Sequence, residues 1–374
     1  MKTFKYNTGS GKSEISIGKK IRIPELPASG GIYVFDTNME KYLSDINREN
    51  SVILPSGEEF KNLESITRIL DKAQELNLGR DSLFVGIGGG VITDMTAFAA
   101  SIYMRGAKLC LLPTSLLAMV DAAVGGKTGI DYGGYKNSAG TFYPADQVLI
   151  CTDFLKTLPA KEFYCGLGEV LKTAMLYDKK LLSLMEDKAD IIKGFSERTG
   201  TTPETSCPEE ENEILLFLVS HCVMAKCNIV EKDLKESGLR MELNLGHTFA
   251  HALESFAGLG ELSHGEAVAW GLGRALELGV NLGITDKNYR NKIFSILKTY
   301  NWTESPMHPA AKKSGETGGI SDADIPEKLL EAMYHDKKKR KGEIRFVLQK
   351  KACSTVIRKV EDREVLKVLS DQKN

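Results

Sequence analysis

Of the six histidines in this 374-residue chain, three fall close together, at His247, His251 and His264. His247 and His251 stand four apart in Leu245-Gly-His-Thr-Phe-Ala-His251 and so share one face of a helix. Thr248 takes the place where the zinc-protease motif H-E-x-x-H carries glutamate, so that motif is absent. Neutral imidazole is a good ligand for zinc and similar divalent ions, and a catalytic site needs three protein ligands plus an open position. Two histidines and one carboxylate would satisfy that count. Glu169 is the candidate carboxylate. It stands with Lys172 in the otherwise apolar helical stretch Gly168-Glu-Val-Leu-Lys172, and an unpaired buried charge costs on the order of several kcal/mol. The competing reading is a satisfied contact between helices, and spacing alone leaves both open.

Two glycine-rich stretches suggest anion chemistry. Gly86-Ile-Gly-Gly-Gly90 follows an apolar strand run and precedes a helical run containing Asp94. Glycines there let a phosphate approach free N–H groups at a helix N-terminus. The spacing is not G-x-G-x-x-G, so a tight strand-to-helix turn fits equally well. Asp36-Thr-Asn38 closes an earlier strand, where an Asp either accepts from ribose hydroxyls or simply forms a turn. Asp121-Ala-Ala-Val-Gly-Gly-Lys-Thr-Gly129, followed by Lys136-Asn137, carries two lysines able to hold a phosphate as point charges. It lacks the Walker A spacing, and its alternative is a solvated, flexible loop. The basic run His335-Asp-Lys-Lys-Lys-Arg-Lys341 reads as a solvated turn.

The elements that must position these residues divide the chain in two. Short apolar runs at 31–36, 51–54, 83–87, 108–112 and 148–151 read as buried strands, with helical spacing over 65–77 and 94–104, as in a βαβ sheet. Beyond about residue 160 the pattern turns to long amphipathic stretches, 160–189, 214–233, 248–257 and 265–282, with two short strands over 343–356. The expected organisation is an N-terminal α/β domain over 1–160 and a mainly α-helical domain over 161–374. Ser196–Asn212 and Ser314–Pro326, polar and Pro-containing, are expected to be surface loops. No internal repeat is visible.

Composition narrows the function classes. Lys plus Arg number 49 and Asp plus Glu 50, a net charge of −1 with pI about 6.6, so nothing global attracts nucleic acid or an anionic membrane. The apolar stretch Leu109–Val120 is broken by Pro113 and too short to span a bilayer. The N-terminal residues lack a signal-peptide apolar core. Seven cysteines without a C-x-x-C pair suggest reduced thiols and a cytoplasmic protein.

Taken together the motifs resemble one family, the 3-dehydroquinate synthases among the sugar-phosphate cyclases. The resemblance rests on Gly88-Gly-Gly-Val-Ile-Thr-Asp94, Tyr103-Met-Arg-Gly106, Pro113-Thr-Ser-Leu-Leu117, Val120–Gly129, Lys136-Asn137, Gly168–Lys172, Leu243–His251, His264-Gly-Glu-Ala-Val268 and Asp336-Lys-Lys338, in the family's order. It implies a Rossmann-like N-terminal domain, a helical metal-binding C-terminal domain, bound NAD, Zn²⁺ or Co²⁺, and a homodimer. It implies a sugar-phosphate substrate, 3-deoxy-D-arabino-heptulosonate 7-phosphate, converted to 3-dehydroquinate and phosphate in the shikimate pathway. Transient oxidation at C5, phosphate elimination, return of the hydride and an intramolecular aldol make up that reaction.

Carried over position by position, the resemblance makes Glu169, His247 and His264 the metal ligands. Lys127, Lys172, His251, Arg105 and Asn137 become catalytic, with His251 as a proton route. Asp121, Lys136, Lys226, Arg240, Asn244, Lys337 and Lys338 become substrate contacts. Asp36, Asn38, Glu58, Lys61, Gly89, Gly90, Asp94, Thr114, Ser115, Asp121, Lys127, Lys136, Thr157 and Leu158 become NAD positions. The chain departs from the family's usual residues at Thr93, Gly168 and Ser115, in place of glycine, alanine and threonine. The rivals are a cyclase forming 2-deoxy-scyllo-inosose or a valiolone, a metal-dependent polyol dehydrogenase, and an inactive NAD-binding protein. Arg240, Asn244 and the Asp336-Lys-Lys338 run favour a carboxylate-bearing substrate, and the retained ligands and lysines argue against an inactive protein.

Overall fold

Unalternating apolar runs need cover on both faces, and the first part of the chain is arranged to give it. The computed structural model describes residues 1–8, 11–236, 238–258, 260–338 and 344–370, with 336–338 by backbone alone. Its first strands are β1 (Lys2–Thr8), β2 (Gly11–Gly18), β3 (Gly31–Asp36), β4 (Ser51–Leu54), β5 (Leu83–Gly88) and β6 (Lys108–Pro113). A hairpin of β7 (Lys127–Tyr132) and β8 (Tyr135–Phe142) follows, then β9 (Gln147–Cys151). Seven of these form one sheet in the order β1-β2-β9-β6-β5-β3-β4, parallel throughout except for the β1–β2 pair.

Helix α1 (Leu63–Glu75) is amphipathic and buries Ile66, Ile69 and Ala73, and Asn62 caps it by accepting from the Ser65 N–H at 3.1 Å. Such a cap contributes about 1 kcal/mol. Helix α2 (Gly90–Ile102) is apolar nearly all round and packs on β5 and β6. The expected strands at 31–36, 51–54, 83–87, 108–112 and 148–151 all occur, and the α/β class with it. The β1–β2 hairpin was not anticipated. β1 buries only Tyr6, so it carries almost no apolar signal, yet Ile15 and Ile17 of β2 pair with Val148 and Ile150 of β9.

The helices that follow are α3 (Ala160–Tyr177), α4 (Lys179–Asp187), α5 (Ala189–Glu197), α6 (Glu209–Lys232), α7 (His247–Ala257), α8 (His264–Asn281), α9 (Lys287–Thr299), α10 (Pro309–Gly318) and α11 (Ile325–Lys338). The hairpin β10 (Arg345–Lys351)–β11 (Ser354–Lys359) and α12 (Asp362–Leu369) complete the chain. Where the sequence suggests one boundary at 160, the two compact units are interleaved. Met1–Gly166 and Ser196–Glu236 form the first, Leu167–Phe195 and Ser237–Asn374 the second. The return is made by α6, which lies along β1, with Lys2 Nζ donating to Ser220 Oγ at 2.9 Å and the Asn7 N–H to Glu231 Oε1 at 3.2 Å. By length and composition α6 could cross a membrane, a longer apolar segment than Leu109–Val120, but 67% of its apolar window is buried in the protein.

Both expected surface loops are shorter than their composition suggests. Over 196–212, α5 runs to Glu197 and α6 starts at Glu209, leaving 198–208. The acidic triplet Glu209-Glu210-Glu211 belongs to the first turn of α6, where negative charge favours the helix dipole. The rest is tied down, with Lys156 Nζ donating to Pro203 O at 3.1 Å and the Thr201 N–H to Lys156 O at 2.9 Å. Over 314–326, α10 continues to Gly318 and α11 begins at Ile325. Pro309 opens α10 and Gly319, left-handed at φ 68°, closes it.

In the second unit α8 is the core helix, buried from Gly265 through Gly279 except for Glu266 and Glu277. Trp270 meets Phe249 edge-on with ring centroids 6.4 Å apart, and Phe249 meets Phe346 at 5.2 Å. Arg274 donates to Val368 O (3.0 Å) and Glu304 O (2.6 Å), and Gln349 Nε2 to Met175 O (2.8 Å). His308 caps α10, its Nδ1 accepting from the Ala310 N–H at 3.1 Å. The proton therefore sits on Nε2, which is buried 3.6 Å from Glu266 Oε1.

Burial lowers the His308 pKa from 6.5 to about 4. As pH falls from about 6.5 to about 4 the unfolded chain takes up this proton first, so stability present at pH 7 is lost across that window. The loss attributable to His308 reaches up to about 3 kcal/mol. Asn at this position keeps a cap and removes the titration. Urea unfolding at pH 7 and pH 4.5 should show a smaller acid loss for His308→Asn than for the wild type; equal losses would contradict the assignment.

Candidate functional site

In the first unit the chain leaves β3 for β4 on one side, and β5 adds on the other. Such a switch point opens a crevice at the C-terminal ends of the strands, where nucleotides bind in open α/β sheets. Phe35 pairs with Ile87, so Asp36 and Gly88 end their strands at the same edge. Asp36 Oδ1 accepts from the N–H groups of Asn38 (3.0 Å) and Met39 (3.2 Å), and burial raises its pKa. Asn38 is exposed on that turn. Gly89 starts α2 without a side-chain cap, leaving the first N–H groups of the helix to an outside acceptor. The Thr114 N–H donates to Gly88 O at 2.8 Å, and Ser115 Oγ accepts from the Ala118 N–H at 3.3 Å.

Beside this edge, residues far apart in sequence form one network. Lys61 Nζ, 5% exposed, donates to Asp94 Oδ2 (2.7 Å) and Asn137 Oδ1 (2.6 Å), with Glu58 Oε1 at 3.9 Å. Burial opposes the Lys61 ammonium, yet Asp94 and Glu58 raise its pKa; burial raises that of Asp94 against the pull of Lys61. Asn137 takes φ 50° and its N–H donates to Asp131 Oδ1 at 2.7 Å. Within 121–129, Asp121 lies in a short π-helical turn and Lys127 starts β7, paired with Phe142. Asp121 Oδ1 accepts from Lys226 Nζ of α6 at 2.5 Å, and Lys127 pairs with Glu236. Nothing in the sequence separates Glu236 from the other acidic residues around it.

Arg105, left-handed at φ 66°, and Lys136 are exposed. The Thr157 hydroxyl donates to Phe154 O at 2.7 Å, and Leu158 is buried after the turn that follows β9. Gly90 is the first residue of α2.

In the second unit three helices supply a tight cluster. Glu169 and Lys172 lie on α3, His247 is the first residue of α7 and His264 the first of α8. Gly246, left-handed at φ 77°, turns the chain into α7, and Ser263 caps α8 by accepting from the Glu266 N–H at 3.3 Å. The helices approach through glycines. A Cβ on Gly168 would stand 2.2 Å from Gly265 O, and one on Gly271 2.3 Å from Gly246 O. Glu169, His247 and His264 each offer a ligand atom, all within 4.8 Å of one another. His247 Nε2 is 3.4 Å and His264 Nε2 3.5 Å from Glu169 Oε1. His251 sits one turn along α7, exposed, its ring 5.4 Å from that of His247.

Glu169 is 1% exposed and pairs with Lys172, and neither of its carboxylate oxygens has a well-formed hydrogen bond. Burial works against its charge, but Lys172 and the two imidazoles hold its pKa well below the carboxylate range. Burial and then Lys172 depress His247 to about 4, keeping it a neutral donor. Burial opposes charge on His264, yet Glu169 and Glu254 raise it to about 10. An anionic carboxylate with two imidazole nitrogens at this spacing fits a divalent ion with an open position. Arg240, 2% exposed, and Asn244 lie in the turn before α7. The side chains of Lys337 and Lys338 lie outside the described residues.

A switch-point sheet in one unit and a Glu-His-His cluster in a helical unit define a class: α/β enzymes built for a dinucleotide and a divalent metal. The profile of the 3-dehydroquinate synthase N-terminal domain matches residues 51–165, and that of the C-terminal domain residues 166–339. A 3-dehydroquinate synthase of Microcystis aeruginosa is 36% identical over 346 residues, 91% of this chain and 86% of that protein. The chain belongs to the 3-dehydroquinate synthase family. Two solved structures share the fold. A 2-deoxy-scyllo-inosose synthase holding carbaglucose-6-phosphate, NAD⁺ and Co²⁺ has TM-score 0.77 at 20% identity, over 98% of this chain and 99% of that one. A 2-epi-5-epi-valiolone synthase of Streptomyces hygroscopicus with NAD⁺ and Zn²⁺ has TM-score 0.76 at 24% identity, over 91% and 89%.

The Lys61 network yields a stability test. Lys61→Met leaves the half-buried Asp94 without its main cation, and stability should fall by about 2–3 kcal/mol in urea unfolding. Coupling with Asp94→Asn in a double-mutant cycle should reach about 1–3 kcal/mol. Simple additivity of the two losses would show that the pair is not coupled.

Proposed function

We propose that this chain is a phosphorus–oxygen lyase, converting 3-deoxy-D-arabino-heptulosonate 7-phosphate to 3-dehydroquinate and phosphate. The observation that carries the reading is the convergence of Glu169, His247 and His264 in a chain of this family. The C5 hydroxyl is transiently oxidised with NAD, phosphate is eliminated, the C5 ketone is reduced again, and an intramolecular aldol closes the ring. Glu169, His247 and His264 would hold Zn²⁺ or Co²⁺. When bound, the ion supplies Lewis acidity toward neighbouring hydroxyls, and NAD supplies a reversible hydride acceptor.

The chain's own residues then bind, orient and move protons. Asp36, Asn38, Glu58 and Lys61 face the adenosine ribose, Gly89 and Gly90 let the pyrophosphate approach the start of α2, and Asp94, Thr114, Ser115, Thr157 and Leu158 complete the nucleotide contacts. Arg105, Lys136 and Asn137 orient the phosphate so that the leaving group itself can serve as base. Lys127 and Lys172 lie near the reacting carbon and the substrate carboxylate, and Asp121, Lys226, Arg240, Asn244 and Lys337 or Lys338 hold the rest of the substrate. Arg240 suits a bidentate anion contact. His251, exposed one turn beyond His247, takes the hydroxyl proton toward solvent. A homodimer is inferred from the family resemblance. Cytoplasmic location is inferred from the seven cysteines, all free, which suit a reducing compartment.

The first test follows phosphate, dehydroquinate and NADH together, with catalytic NAD and Zn²⁺ or Co²⁺. Equal phosphate and dehydroquinate without accumulating NADH is the expected result. Accumulating NADH without ring closure would indicate a dehydrogenase, and no phosphate release a different sugar phosphate. His264→Ala should abolish turnover and weaken metal retention by more than about 100-fold while NAD binding persists. Full activity of that variant after chelation would overturn the metal assignment.

A further inference from the structure

An imidazole binds metal through one nitrogen, and the partner of the other nitrogen decides which tautomer and ring orientation it presents. In His247 the second nitrogen is settled by the backbone, with Nδ1 3.2 Å from Leu245 O, leaving Nε2 toward Glu169. In His264 it is settled by a side chain. Nδ1 lies 3.3 Å from Glu254 Oε2, and Nε2 lies 3.5 Å from Glu169 Oε1 on the opposite side of the ring. Glu254 is seven residues beyond His247 on α7, two turns along the same face, and its side chain is only 13% exposed, so water competes weakly for its carboxylate.

We propose that Glu254 is a positioning residue for the metal centre: it accepts the Nδ1 proton of His264, fixes the tautomer that presents Nε2, and raises the ring's basicity as a ligand. This rests on the reading of Glu169, His247 and His264 as ligands. The carboxylate touches neither substrate nor cofactor in this role. One helix thus contributes twice, with a ligand at its first residue and an orienting group two turns later that sets the ligand on α8. Both groups lie within the second unit.

The test uses the full chain and metal affinity as its readout. Zn²⁺ binding by competition with a chromogenic chelator and the visible absorption of the Co²⁺-loaded protein are compared for wild type, Glu254→Gln, Glu254→Ala and His264→Ala. Glu254→Ala should weaken metal binding about 10–100-fold and alter the Co²⁺ bands. Glu254→Gln, nearly isosteric and still an acceptor but uncharged, should fall between it and the wild type. Unfolding of the metal-free proteins in urea separates a fold defect from a site defect. If His264→Ala loses metal while both Glu254 variants bind it as wild type with unchanged bands, the inference fails and the metal site stands. A lower urea midpoint with unchanged affinity and bands likewise overturns it. If His264→Ala binds as tightly as wild type, the underlying metal reading fails instead.

Discussion

A carboxylate with 1% exposure is the constraint around which the second unit is organised. Glu169 cannot carry its charge there unless cations or polarised donors surround it, because desolvation alone would cost several kcal/mol, of order the whole net stability of a domain. Lys172 on the same helix supplies the cation, and His247 and His264 bring ring nitrogens to within 3.5 Å. Each comes from the first residue of a different helix, so α3, α7 and α8 must meet at one place. Glycine at 168, 246 and 271 allows the backbones to approach closely enough. A Cβ at 168 would stand 2.2 Å from Gly265 O, so the α3–α8 approach depends on glycine at this position.

The first unit answers a different problem, placing polar groups at the edge of an apolar sheet. Because β3 sits between β4 and β5, the chain parts in opposite directions there, the arrangement that opens a crevice at the strand ends. Asp36, Gly89 and the Lys61–Asp94–Asn137 network stand at or beside that gap. Lys61 is buried among polar partners instead of snorkelling to solvent, which orders the start of α2 and the β7–β8 hairpin together. Donors held by such hydrogen-bonded networks are pre-positioned, which is what a bound cofactor or phosphate requires.

Much of this was legible in the sequence. The parallel strands are continuous apolar runs because both faces are covered, and that pattern survives in one dimension. The helical half announced itself through 3.6-residue periodicity. What escaped lacked apolar signal or wore the wrong composition. β1 has one buried residue and β8 none; Glu209–Glu211 resembles a loop until the helix dipole is considered. The interleaving of the units by α6 could not be read at all, since an apolar helix reports that it is buried but not against what.

By itself the sequence determined the identities and local periods: which segments are strands or helices, which histidines share a helical face, and where glycines permit a turn. Those follow from backbone sterics and burial over a few neighbouring residues. Only the tertiary structure decided which groups meet. Spacing alone pairs His247 with His251 on one face, yet the cluster is formed by His247 with His264 and Glu169, which the packing of α3, α7 and α8 brings together. Likewise Glu254 has no signal of its own until α8 brings His264 against it. Contacts between residues 33 to 95 positions apart are set by packing, and packing is decided by the whole core at once.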